Sequence, residues 1–264
     1  MFGAFLDSDE RNPEVQARRF NRIASRYDLV NVIASLGMSR IWTNALVDAV
    51  VESVQGREAE AVAGGQAYAP LAGMTILDVA CGTGTSSRAL ANLGADVIGC
   101  DVSEGMVAEA RRRESVLRQR AAWGSGERGT VRYAIADAAD LGFADGRFDA
   151  VTCCYGLRNM PSPVNALREM RRVARQDAPV VTLDFDMPRG VLLSWGYRLY
   201  NALALPVVGG FFTGHPSDYR YLADSIEQWP GRRGVAHMMR VAGLRHPQCR
   251  PLTKGIASLN RAWK

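Results

Sequence analysis

The sequence predicts an α/β fold, a doubly wound and mostly parallel sheet with helices ahead of it and a helical insertion before the last strands. Three observations predict it. Between Met74 and Pro188 short apolar, β-rich runs alternate with helical ones, the rhythm of a parallel sheet covered on both faces. The first run passes through "ACGTGTSS" into a helical stretch, and glycines at such a turn let the backbone approach a ligand that a Cβ would exclude. Asp78, Asp101 and Asp137 close three successive strand-like runs, at the carboxyl ends where an open α/β sheet holds its crevice.

In chain order, residues 13–54 read as helices. "PEVQARRFNRIASRYDLVN" sets Val15, Arg19, Ile23 and Tyr27 near one face, and "SRIWTNALVDAVVESV" opens on a serine suited to capping it. "QGREAEAVAGGQAYAPLAG" reads as a linker or loop. The core, 74–188, runs through "TILDVA", "SSRALANL", "DVIGCD", "GMVAEARRRE", "VRYAIAD", "FDAVTCCYG", "VNALREMRRVA" and "PVVTLDF", with "WGSGERG" as a loop before the third strand. Past Pro188 the rhythm breaks. "GVLLSWGYRLYNALALPVVGGFF" reads as an apolar helical insertion, continued by "SDYRYLADSIEQW" and "RGVAHMMRVAG" to residue 246, and "GIASLNRAWK" reads as a closing strand. One domain over 1–264 is expected.

The totals exclude several classes. With 264 residues, 47% of them hydrophobic, the chain can bury one large core. Its net charge of +5 is carried by arginine almost alone, Lys254 and Lys264 being the only lysines. The clusters "ARRRE" and "EMRRVAR" fall in helix-like stretches and read as solvated faces, so no nucleic-acid partner is expected, while weak attraction to an anionic membrane stays open. Five cysteines, Cys81, Cys100, Cys153, Cys154 and Cys249, without a C-x-x-C pair, suit buried thiols in a reducing compartment. "MFGAFLDSDERNPE" fits neither a secretory signal nor a transit peptide. The longest charge-free apolar run is short for a bilayer and is broken by Pro206, Gly209 and Gly210. The expectation is a cytoplasmic protein, soluble or peripheral on the inner face of a membrane. No histidines and cysteines have metal-ligand spacing, so no metal is expected.

A dinucleotide fingerprint, G-x-G-x-x-G, would need a third glycine where Ser87 stands, which weakens that reading without removing it. What the turn offers is Asp78, then Ala80, Gly82 and Gly84 at alternate positions, with Asp101 at the end of the next strand. A carboxylate there accepts both ribose hydroxyls of an adenosine. Asp137 and the adjoining amide suit an adenine edge. Three acids fit a cofactor with a sulfonium and an amino group better than one with a pyrophosphate; the alternative is that each aspartate caps the helix after it.

Here the chain resembles the class I S-adenosylmethionine-dependent methyltransferases, and more closely the ubiquinone and menaquinone biosynthesis C-methyltransferase family. The resemblance runs over nearly the whole length, through "FNRIASRYDLVN", "SLGMSRIW", "LDVACGTG", "YGLRN", "LREMRRV", "SDYRYLADSIEQWP" and "KGIASLNRA". It implies a class I methyltransferase, Rossmann-like fold with S-adenosyl-L-methionine as cofactor. Gly82, Thr83, Gly84, Asp101, Asp137, Ala138 and Cys154 are then cofactor contacts, joined by Asp78, Ala80, Val102 and Met106. Three positions depart from the family pattern. Thr85 stands where an aspartate is common, Cys154 where a serine is, and Asp186 where "LDFDMP" replaces E-F-S-x-P.

The implied reaction is C-methylation of a prenylated quinol, of demethylmenaquinol type or on the ubiquinone route. Methylating an aromatic carbon requires an electron-rich ring, in-line geometry, stabilisation of developing phenolate and exclusion of water. Arg158 in "YGLRN" is the candidate for the phenolate, as a charge and not a base; the alternative is an ion pair with an acid in the first helices. Asn159 caps the following helix or polarises the acceptor. Tyr27 and Asp28 suit a lid over the cofactor, and Tyr219 and Tyr221 an acceptor pocket, with plain packing as the alternative for each tyrosine. His215 reads as a loop residue. The apolar segment with Trp195, Tyr197 and Tyr200 suits a tunnel for the prenyl tail, a peripheral membrane contact, or a core or homodimer helix. Within this scheme 13–54 form a lid, 74–188 bind the cofactor and 189–246 lie on the acceptor side. The competing functions are a methyltransferase of another lipid or secondary metabolite, a non-catalytic quinone-binding scaffold, and a NAD-dependent reductase.

Overall fold

The computed structural model describes residues 11–24, 27–35, 37–55, 69–121, 128–188, 190, 195–197, 199 and 216–264. Three helices come first: α1 (Pro13–Ile23), α2 (Tyr27–Ala34) and α3 (Ser39–Gln55). Asn12 starts α1, its Oδ1 accepting the Glu14 N–H at 2.9 Å with Pro13 in the first turn. Ser39 does not cap α3. It is the first helical residue, and its own N–H donates to Ser35 Oγ at 2.9 Å.

The alternating core forms as its pattern predicts. Strands β1 (Thr75–Val79), β2 (Asp96–Asp101), β3 (Val131–Ile135), β4 (Ala150–Cys154) and β5 (Pro179–Phe185) are parallel. Helices α4 (Thr85–Ala91), α5 (Glu104–Ala121) and α6 (Pro163–Val173) connect them, α4 after β1, α5 after β2 and α6 after β4. After β5 come α7 (Pro216–Glu227), α8 (Gly231–Val241), β6 (Arg245–Leu252) and β7 (Ala257–Trp263). Among the described residues the sheet has the order β3-β2-β1-β4-β5-β7-β6, with β7 antiparallel to β5 and to β6. Every residue of β4 and β5 is buried, which is why both read as continuous apolar runs and not as alternation.

The sheet separates two apolar layers. On one side Trp42, Leu46 and Val50 of α3 meet Val181, Leu183 and Phe185; the Trp42 and Phe185 rings meet edge-on at 5.8 Å. On the other, Leu167, Met170 and Val173 of α6 pack with Val235 and Met239 of α8. Strand order reverses between β1 and β4, and that switch point sets the ligand crevice. β6 has no apolar run to betray it. It carries Pro247, Pro251, Arg245 and Arg250, and it sits at the sheet edge, where proline is tolerated.

The linker at 56–68, most of "WGSGERG", Tyr200, His215 and most of the apolar insertion lie outside the described residues. Within the insertion Trp195 is exposed and Tyr197 buried. No described helix is long and apolar enough to cross a membrane.

Candidate active site at the strand ends

After β1 the backbone turns left-handed at Ala80, Gly82 and Gly84, with φ of 53°, 54° and 81°. Beneath this turn Asp78 is completely buried and accepts Ser86 Oγ at 2.7 Å, Ser87 Oγ at 2.6 Å and Thr152 Oγ1 at 2.8 Å. Burial pushes its carboxyl upward in pKa, and the three hydroxyls oppose that shift. Asp78 therefore does not face a ligand; it fastens the start of α4 to β1 and β4. Gly84 is needed for packing. Its missing Cβ leaves room for the Tyr133 ring, whose hydroxyl a side chain would strike, and Gly84 lines neither crevice at the strand ends. Gly82 does face the open space: a Cβ there would point at the Tyr27 ring, 3.3 Å from Cε1.

At the next strand end both Asp101 oxygens are held by backbone, Oδ2 by the Gly82 N–H and Oδ1 by the Ser103 N–H, each at 2.9 Å. Burial raises its pKa to about 6 against those hydrogen bonds. Beyond β3, Asp137 Oδ1 accepts the Ala139 N–H at 2.9 Å. Asp101, Asp137, Ala80, Gly82, Val102, Met106 and Ala138 line one crevice at the strand ends, where an open α/β sheet holds its ligand.

Tyr27 of α2 lies over Gly82, its ring edge-on to Phe20 at 5.9 Å. It also lines a second space, together with Thr83, Thr43, Arg88 and Cys154. The neighbouring Asp28 accepts Thr83 Oγ1 at 2.8 Å and pairs with Arg113 of α5. Farther back, Asn21 Oδ1 accepts Ser103 Oγ at 2.6 Å and the Gly105 N–H at 2.8 Å. The Thr83 hydroxyl thus holds α2, and Thr83 and Cys154 belong to the second space.

Arg158 is where the structure departs most from expectation. It lies in a short 3-10 turn, Leu157–Asn159, and is 3% exposed. Its Nη1 pairs with Asp184 Oδ1 at 2.6 Å and donates to the Tyr155 carbonyl at 2.7 Å; its own N–H reaches Asp184 Oδ2 at 3.1 Å. It lines neither crevice. Burial is the largest influence and works against the charge, but Asp184, with Tyr27 and Tyr221, turns the net shift of the Arg158 pKa upward. The partner acid comes from β5 and not from the first helices. Asn159 does not cap α6, because Ser162 does, its Oγ accepting the Asn165 N–H at 3.3 Å. Asn159 instead lines the crevice, donates to the Tyr155 carbonyl at 3.2 Å and accepts the Tyr221 hydroxyl at 3.3 Å. Tyr221 in turn accepts Gln16 Nε2 at 2.9 Å, with the Arg19 guanidinium 3.6 Å from its ring centre. The Tyr219 side chain lies outside the described residues. Asp186 turns away to Arg232 of α8, at 2.6 Å.

Sequence reasoning missed Tyr155, Gln16, Phe20 and Met160, which line the first crevice or brace it. Only Tyr155 had a signal, its place before Gly156 at a strand end.

This fold is that of the class I methyltransferases. A methyltransferase structure from Aquifex aeolicus superposes with a TM-score of 0.52 over 73% of this chain and 83% of its own, at 18% identity. One from Thermotoga maritima, described as a possible histamine N-methyltransferase, gives 0.54 over 94% and 99%, at 14% identity. The chain belongs to the ubiE/COQ5 methyltransferase family, whose model matches residues 7–264. It is similar to a demethylmenaquinone methyltransferase of Beutenbergia cavernae, 38% identical over 97% of this chain and 93% of the relative. It is also similar to a ubiquinone/menaquinone biosynthesis C-methyltransferase, UbiE, of Paracoccus denitrificans, 35% identical over 93% and 88%.

Proposed function

We propose that the protein is an S-adenosylmethionine-dependent C-methyltransferase acting on the ring of a prenylated quinol, with demethylmenaquinol as acceptor. The observation that carries this reading is Asp101, its carboxylate aimed by two backbone amides in a crevice that begins at Gly82 and is covered by Tyr27. The residues fit an adenosyl cofactor. A buried acid whose oxygens are already oriented suits ribose hydroxyls, and the glycine leaves free the volume a Cβ would fill. Family membership and relatives named as demethylmenaquinone methyltransferases support the acceptor.

When bound, S-adenosylmethionine supplies a methyl group on a positively charged sulfur. Asp101 binds the ribose, Asp137 and Ala138 the adenine edge, and Ala80, Val102 and Met106 line the site between them. Tyr27 and Phe20 keep water from the reacting atoms, which preserves the in-line approach of ring carbon to methyl. The cofactor would supply the methyl and keep the electron pair of the methyl–sulfur bond on sulfur, and the ring proton that the methyl replaces would be released once the site opens. Arg158, its charge matched by Asp184, braces from below the turn that carries Tyr155 and Asn159 and does not touch the acceptor. Asn159 and Tyr221 border the acceptor. In this scheme 13–54 are the lid, 74–188 the cofactor core and 189–246 the acceptor side, and the exposed Trp195 suits peripheral contact with the membrane that stores the acceptor.

The test pairs calorimetric titration of S-adenosylhomocysteine with a mass-shift assay on demethylmenaquinol and on a demethylated methoxybenzoquinol. Binding with a gain of one methyl on the naphthoquinol is expected. Binding with neither acceptor methylated would overturn the acceptor, and absence of binding would overturn the cofactor site.

A further inference from the structure

Tyr155 follows β4 with φ of 60°, a left-handed backbone that is rare for a bulky aromatic residue and persists only where its surroundings enforce it. They do so here. Its N–H donates to the Leu183 carbonyl at 2.7 Å, and its carbonyl accepts from both Arg158 and Asn159. The next residue, Gly156, has no room for a side chain, since a Cβ would stand 2.5 Å from that of Ala80. The Tyr155 ring is fixed as well, tilted on Phe185 at 5.3 Å between centres. A phenylalanine would pack equally well. Yet the chain carries a hydroxyl there that is buried and has no hydrogen-bond partner, an arrangement that calls for an explanation.

The order of the strand ends supplies one. Across the sheet the crevice meets Asp137 after β3, Asp101 after β2, Gly82 after β1 and Tyr155 after β4. If adenine and ribose take the first two places, the sulfur lies by Gly82 and the acceptor ring beside Tyr155 and Asn159. Tyr155 lines both the first crevice and the space beyond Tyr27. We propose that the Tyr155 hydroxyl donates a hydrogen bond to a ring oxygen of the bound quinol, holding that oxygen and stabilising it as phenolate. The charged and titratable groups acting on it are Cys154, Tyr27, Asp184 and Arg158. Burial raises its pKa well above the ordinary tyrosine value, so it stays a donor across the assay range.

The inference rests on the quinol reading, and one experiment separates them. Wild type and Tyr155→Phe are compared for S-adenosylhomocysteine affinity, for kcat/KM toward demethylmenaquinol, and for the pH profile of kcat. The expected result is unchanged affinity, a fall in kcat/KM of about 10–100-fold, and a midpoint of the profile moved up by about one pH unit, because phenolate has lost its donor. An unchanged kcat/KM and profile would overturn the inference. So would a parallel loss of S-adenosylhomocysteine binding, which would place the hydroxyl on the cofactor. A wild type that binds S-adenosylhomocysteine but methylates no quinol would sink the acceptor reading itself, and this inference with it.

Discussion

Arg158 and Asp184 form an ion pair, Nη1 to Oδ1 at 2.6 Å, with almost no exposure of either side chain. Such a pair is held by mutual need. Removing one partner strands a charge, at a cost of about 3–5 kcal/mol, whereas replacing both with apolar residues of similar size is often neutral. Asp184→Ala should therefore lower the urea midpoint sharply, and Arg158→Met with Asp184→Leu should recover most of it. The double variant should still bind S-adenosylhomocysteine but turn over about tenfold more slowly, because the Tyr155 carbonyl has lost the Arg158 hydrogen bond that sets its turn.

Asp101 carries a pH dependence of definite sign. Its carboxyl rises from 3.8 to about 6 on folding, so the folded state favours the protonated form. The resulting stability is present below pH 3.8 and is lost as pH climbs through 6. Binding runs the other way, because the anion is the better acceptor of ribose hydroxyls. Affinity for S-adenosylhomocysteine should weaken about tenfold per unit below pH 6, and Asp101→Asn should bind weakly with a flat profile in titrations from pH 5 to 8.

The two glycines of the turn should fail differently. Gly84→Ala sets a Cβ against the Tyr133 hydroxyl at φ of 81°, and should cost about 2–3 kcal/mol of stability. Gly82→Ala meets the Tyr27 ring at 3.3 Å, a contact that a small shift of α2 relieves. Its stability loss should be smaller and its loss of cofactor affinity larger, as melting curves with and without S-adenosylhomocysteine would read.

The clasp between Asp28 and Arg113 is partly exposed, at 43% and 22% of the side chains. Pairs of that kind contribute at most about 1 kcal/mol. Arg113→Ala should leave the melting temperature nearly unchanged while speeding cofactor dissociation about 3–10-fold, a difference that stopped-flow displacement would resolve.

The sheet was legible because its central strands are buried on both faces and read as apolar runs. Edge position hid β6, since a strand with one free side can carry Pro247, Pro251 and arginines. Site acids were legible by position but not by orientation. Asp101 ends its strand whereas Asp78 lies one residue inside β1, and there the hydroxyls of Ser86, Ser87 and Thr152, distant along the chain or just past the turn, hold it inward. The partner of Arg158 lies on the neighbouring strand, and no local pattern ties Arg158 to Asp184. Tyr155 escaped notice for a related reason. A left-handed tyrosine leaves no trace in composition or periodicity, and the carbonyl that holds its N–H, that of Leu183, lies on the neighbouring strand β5.

The ring of Tyr27 resting on Gly82, beside an Asp101 already tied to two amides, makes the two ends of the site unequal partners in recognition. On the proposed binding mode the nucleoside end would meet a fixed socket and the amino-acid end the Tyr27 ring. Fragments carrying only adenosine should dock fast and pay nothing for reshaping, while the full-length molecule must push an aromatic shutter aside, so its arrival and departure would be timed by the N-terminal helices and not by diffusion.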